Sequence, residues 1–174
     1  MKRIIVVAML LVMAAGCRQK EEPRPQYQVP AGGDMHTQEE MRLLKEAVKK
    51  DPGNVNAWIK IGNSMMDASR FSEAIDAYRK ALQLDEKNVD VRVDLGTCYR
   101  DMGKPDEAVK EYRKALEINP GHLNGHKNLG VVLAYDLRDK AAAIKEFERY
   151  LELAPSAPDA ATVRQEIQNL KAAK

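Results

Sequence analysis

His122 and His126 stand four residues apart, a spacing that brings two imidazoles to one side of a helix and could begin a zinc site. No Glu follows the first of them, no Cys or third His is near, and His36 lies far upstream, so structural roles are expected for both. Cys98, next to Tyr99, is expected to serve as a half-buried small apolar side chain on a helix rather than as a nucleophile. Asp and Glu are plentiful, yet no spacing singles out an acid and base pair. The glycines recur at helix-packing places and build no phosphate-cradling loop, and the CxxCH sequence that attaches haem is absent. These residues therefore point to no catalytic group, no metal ligand set and no cofactor.

Cys17 is the one residue with a chemical future of its own. Met1, Lys2 and Arg3 make a short basic start, Ile4 to Ala15 is apolar, and Ala14-Ala15-Gly16-Cys17 closes the stretch with small residues, the layout of a secretory signal over residues 1–16. About a dozen apolar residues fall short of the roughly 20 that span a bilayer as a helix. The Ala-Ala-Gly-Cys ending resembles the lipobox of bacterial lipoproteins, which implies cleavage before Cys17 and acylation of its sulfur, with Ala14 departing from the commonest Leu. Arg18 is not the Asp that retains many such proteins in the inner membrane. The resemblance thus implies a periplasm-facing chain held by lipid, with the outer membrane favoured.

Charge sets a second bound. The chain has 28 Lys and Arg against 26 Asp and Glu, and loss of Lys2 and Arg3 with the leader brings the two counts level. A neutral chain has no basic field for neutralising phosphates, so nucleic acid is excluded as a partner. With Cys17 acylated, Cys98 has no mate, and a disulfide framework is excluded as well.

The elements that must position any site come from a repeat. Residues 55–88 and 89–122 align without a gap at 34 residues, placing Gly62 on Gly96, Ala74 on Ala108, Tyr78 on Tyr112 and Ala81 on Ala115. A third copy, 123–156, keeps register through Leu129 and Gly130, then slips by one residue in AYDLRDKAA, so Ala143, Phe147 and Pro155 follow their counterparts by 35. Trp58, Ile61, Gly62 and Met65 share a helical face, as do Ala74, Tyr78 and Ala81, so each copy reads as a hairpin of two amphipathic helices. Gly96 and its equivalents are expected to let helices approach closely, Gly103 to end a helix at positive φ, Pro105 to open the next, and Asn54 and Asn88 to be N-caps. Such a period predicts a stacked helical solenoid.

This pattern resembles the tetratricopeptide repeat (TPR) family, whose unit carries Trp, Leu, Gly, Tyr, Ala, an aromatic, Ala and Pro at set places. The match covers about 100 residues, with Arg92 and His126 at the Trp place and Tyr150 at the second small one. It implies an all-α, right-handed helical solenoid: a TPR domain over 38–172, with a half-repeat helix at 38–50, three repeats, and a capping helix at 157–172 whose Val163, Ile167 and Leu170 share a face. Eight helices and no strand are expected. Residues 17–37, rich in Pro and Gly, read as the lipidated Cys and a flexible tether of about 25 Å r.m.s. span.

The resemblance also implies a partner-binding inner wall lined by the first helix of each repeat. Here that wall would carry Asn56, Ile59, Asn63, Met66 and Asp67; Asp90, Val93, Asp94, Thr97 and Asp101; and Asn124, Lys127, Asn128, Val131 and Tyr135. Relatives that grip a C-terminal carboxylate use Lys and Arg where this chain has Ile59, Asp94, Asn124 and Asn128, keeping only Asn63, so the Asp residues favour a basic or polar-backbone ligand instead. The expected function is a non-enzymatic protein interaction scaffold, a membrane-anchored TPR lipoprotein aiding assembly of an envelope complex of the pilus, secretin or outer-membrane type. The alternatives are a periplasmic helper of c-type cytochrome maturation and, from another class, a lipid-anchored enzyme. The expected partners are another protein or peptide segment of the envelope and the membrane through the lipid, with self-association open through the capping helices.

Overall fold

Asn54 and Asn88 turn the chain into helix as side-chain caps. Their carboxamide oxygens accept from the N–H of Ala57 at 3.0 Å and of Val91 at 3.2 Å. His122 and Asp139 do the same work at later starts, through Nδ1 to the N–H of Gly125 and Oδ1 to the N–H of Ala142, each at 3.0 Å. The resulting elements, in a computed structural model that describes residues 35–172, are α1 (Met35–Lys50), α2 (Val55–Asp67), α3 (Phe71–Leu84), α4 (Val89–Asp101), α5 (Pro105–Ile118), α6 (Leu123–Val131), α7 (Lys140–Leu153) and α8 (Ala160–Ala172). No strand occurs among the described residues. The leader at 1–16, Cys17 and the tether up to residue 34 lie outside them. Helix α1 starts three residues before the expected Gln38, and α8 three after the expected 157.

Each helix packs chiefly on the one before and the one after, α2 on α3, α4 on α5 and α6 on α7 most closely, so the chain is the expected TPR solenoid. Tyr78, Tyr112 and Phe147 are wedged at 0%, 1% and 2% exposure. The glycine opposite each is why they fit: a Cβ on Gly96 would lie 2.6 Å from Tyr112 Cε1, and one on Gly130 would lie 2.6 Å from Phe147 Cε1. Tyr150, at the place of the second small residue, is also buried, and its hydroxyl donates to Asp159 just ahead of α8.

The first two hairpin turns close in one way. Ser69 N–H reaches Met66 O and Arg70 N–H reaches Met65 O, while Gly103 and Lys104 repeat the pair on Arg100 and Tyr99. Such a 5→2 and 6→1 pairing needs a left-handed residue, and Ser69 and Gly103 supply it at φ 57° and 71°; the third turn has its left-handed residue too, Arg138 at φ 58°, but closes on other carbonyls. The one-residue slip of the third copy is absorbed just before its turn. There the chain widens into a π-helical segment, Val132–Asp136, with Leu137 N–H on Val132 O and Asp139 N–H on Leu133 O.

The two ends differ. Helix α8 buries Ala160, Val163 and Ile167 and leaves Arg164, Gln165 and Gln168 in solvent, whereas α1 leaves Leu43 52% exposed. Among the described residues no helix is long and apolar enough to cross a membrane.

Candidate functional site

The expected wall residues divide by what the helices behind them require. Asn63 and Thr97 serve the core: Tyr78 Oη donates to Asn63 Oδ1 at 2.8 Å and approaches Met66 Sδ at 3.9 Å, and Tyr112 Oη lies 3.1 Å from Thr97 Oγ1. Thr97 already donates to Val93 O at 3.1 Å, so the tyrosine is the donor, and Asn128 Nδ2 adds a longer contact to the same oxygen at 3.4 Å. Burial of the two phenols raises both pKa values, that of Tyr112 to about 12. The wall is thus partly built from groups that satisfy buried hydroxyls one layer down.

Val93 is a correction. It is 4% exposed and belongs to the core, because α4 is the middle helix of its kind and is packed by α3, α5 and α6 together. Ile59 and Val131 are partly buried against the same core. Lys127 is tied down by Asp159 at 3.0 Å with its ammonium 5.7 Å from the centroid of the Tyr150 ring, and Tyr135, 56% exposed, hydrogen-bonds Glu166 of α8. Asn56, Asp67, Asp101 and Asn124 remain exposed without a hydrogen bond among the described residues.

Electrostatics centre on Asp94. Burial pushes its carboxyl up to about 6, the charges of Asp90 and Asp67 add to the rise, and His122 opposes it. Asp101 is likewise raised: its side chain stays exposed, but the neighbouring protein strips part of the water from its carboxyl. His122 bridges two repeats here: Nδ1 caps α6, so Nε2 carries the proton donated to Asp90 Oδ1 at 2.9 Å.

The two histidines do not share a ligand position. His126, 8% exposed, turns Nδ1 to Glu146 at 2.7 Å and Nε2 to Pro120 O at 3.0 Å, so all four ring nitrogens of the pair are engaged by protein. Among the described residues no group of three His, Cys, Asp or Glu is arranged to hold a metal. Cys98 is fully buried rather than half-buried, and burial pushes its thiol up to about 12, so it stays protonated and inert at neutral pH.

What residue-by-residue reading missed is a repeated bond at the Trp place. Trp58 Nε1 donates to Pro52 O at 3.0 Å, an Arg92 Nη to Glu86 O at 2.8 Å and His126 Nε2 to Pro120 O at 3.0 Å, always to the carbonyl six residues back. An N–H donor at that position is the common signal, visible in the sequence once side chains are compared by their donors rather than their shapes.

Comparison with known proteins agrees with this architecture. Residues 28–161 match the family model described as the cytochrome c-type biogenesis protein H TPR domain. Among solved structures, two crystal structures of MamA are similar at TM-scores of 0.71 and 0.67, with 22% and 21% identity. The alignments cover 78% and 75% of this chain and 74% and 79% of those chains. The Arabidopsis OM64 TPR domain is similar at a TM-score of 0.61 with 16% identity, over 66% of this chain and 94% of that one. No curated protein matched.

Proposed function

The chain belongs to the family of the cytochrome c-type biogenesis protein H TPR domain, and from that premise we propose that it is a non-enzymatic scaffold that holds a segment of another protein along the first helices of its repeats. One observation carries this reading. Asn56, Asp67, Asp101 and Asn124 are exposed on successive first helices and unspent on the fold, while their neighbours Asn63 and Thr97 are fixed by buried tyrosine hydroxyls and Asn128 by Thr97. Exposed polar groups on a rigid backing suit an extended segment, whose peptide groups can be met without rearrangement. Asp67, Asp90, Asp94 and Asp101 favour a segment with basic side chains.

Two finer readings follow. In the first, the chain is lipidated at Cys17, faces the periplasm from the outer membrane, and aids assembly of a pilus, secretin or outer-membrane complex. In the second, favoured by the family match, it holds an apocytochrome during c-type maturation, an unfolded chain being an extended ligand of the right form. A photo-crosslinking residue placed at Asp67 or Asp101 should capture a partner protein in cells, and one placed at Lys87, in the α3–α4 loop, should not. Equal capture at all three positions would remove the scaffold reading. Blocked peptides carrying CxxCH should then be retained by the purified chain over scrambled versions if the second reading holds, and absence of enrichment leaves the first.

A further inference from the structure

Two surface slots of the solenoid are the same place in successive repeats. The first, of about 320 Å³, is lined by Lys45 of α1, Trp58, Ile61 and Met65 of α2, and Ala77 and Lys80 of α3. The second, of about 280 Å³, has Arg79, Arg92, Leu95, Tyr99 and Glu111 at positions 34 residues on from Lys45, Trp58, Ile61, Met65 and Ala77. In the second slot the polar side chains of the lining pair with one another. Glu111 takes Arg92 at 3.0 Å and Lys114 at 3.1 Å, and Arg79 donates to Tyr99 Oη at 2.6 Å. The third repeat does likewise with Glu146 on His126 at 2.7 Å.

The first slot lacks the acid. Ala77 stands where the others have Glu111 and Glu146, yet Lys80, the counterpart of Lys114, is still present and has no carboxylate bonded to it among the described residues. Trp58, half-buried, spends its only polar atom on Pro52 O, so its ring, Ile61 and Met65 leave an apolar floor beside an unspent ammonium. Of the remaining lip groups, Glu73 is held by Arg70 at 2.6 Å, and Asp76 lies one helical turn before Lys80.

We propose that this slot docks a partner segment that presents a carboxylate next to a large apolar side chain, the carboxylate meeting Lys80 as Glu111 meets Lys114 and the apolar group covering Trp58. The assignment is independent of the proposed wall, since it uses other faces of α1, α2 and α3. It gives the chain a second contact that reads acidic segments where the Asp-bearing helices read basic ones.

Trp58 is the only tryptophan and lies in the slot, so its emission reports occupancy directly. The full-length chain should show a saturable shift of that emission with the blocked pentapeptide Ala-Leu-Glu-Phe-Ala. The analogue with Gln for Glu, and separately the Lys80→Gln chain, should bind about tenfold more weakly, as loss of one charge-assisted hydrogen bond requires. Ala77→Glu should abolish the response by supplying the missing acid in cis. Helical circular dichroism identifies any variant that fails to fold, and if Ala77→Glu does, the Lys80→Gln and peptide comparisons decide. No saturable shift, or equal binding of the two peptides, overturns the proposal. So does an emission change with protein concentration alone, which would make a second copy the occupant.

Discussion

Asp94 shows how one carboxylate sets a pH dependence for the whole chain. Its pKa is raised to about 6 in the folded protein, chiefly by burial, while an unfolded Asp titrates near 3.8. The folded state therefore binds the extra proton between these values, and its contribution to stability is present below the lower one and lost as pH rises through the upper. Asp94→Asn is expected to raise the melting midpoint at pH 7 and to flatten its decline between about pH 4 and 6. Melts that superpose on the parent at every pH would contradict this. Gly96 supplies a test of packing. Alanine there gains about 1 kcal/mol of helix propensity but drives a Cβ to 2.6 Å from Tyr112, and overpacking of that kind costs about 1 to 3 kcal/mol. Because the ring is wedged at 1% exposure and cannot retreat, Gly96→Ala should lower the urea midpoint, and a higher one would show that the hairpin has slack.

At the scale of elements, the hairpin turn is the informative unit. All three turns require a left-handed residue, and only the second has glycine for it. Ser69 and Arg138 bear the steric cost of a Cβ in that conformation, which for an L-residue is about 1 to 2 kcal/mol. Arg138→Gly is accordingly expected to stabilise the chain by about 1 kcal/mol, a rise of about 3 °C in Tm, without altering the helix content. A fall in Tm would mean that the π-helical segment before it depends on the Arg138 side chain. Turn position was legible from register, since Gly103 and Pro105 mark the second turn and its counterparts lie 34 residues before and 35 after. Its conformation was legible only at Gly103, because serine and arginine carry no signal for positive φ. The π-helical widening was half legible: the extra residue could be counted in AYDLRDKAA, but where the backbone stores it is settled by which carbonyls the turn must still satisfy.

Residues 35–172 form a stack whose stability comes from contacts between successive layers, so its ends matter out of proportion to their size. Helix α8 covers the side of the last hairpin with Ala160, Val163 and Ile167 and turns Arg164, Gln165 and Gln168 outward, the composition that stops a stack from growing. A chain ended at Pro155 loses that cover. It is expected to melt at lower temperature and to bind a hydrophobic dye that the parent does not, and an unchanged melt would make α8 a passenger. At the other end of the described residues, α1 leaves Leu43 52% exposed. That asymmetry distinguishes the two ends of the described stack by chemistry.

The amino-acid sequence by itself determined the repeat, the eight helices, the N-caps at Asn54 and Asn88, and the pairing of small residues with aromatics. These follow from local rules: helical periodicity, backbone donors that need caps, and a side chain that either fits beside a ring or does not. Only the tertiary structure decided which polar residues of the first helices are free. Asn63, Thr97 and Asn128 read in the sequence like Asn56 and Asn124, and they differ because a hydroxyl from another helix claims them, a buried tyrosine for the first two and Thr97 for the third. Val93 is packed into the core while Asp94, beside it in sequence, is only partly covered, for the same reason. Burial is a property of what packs from outside the segment, and a spacing rule within one helix carries no information about it.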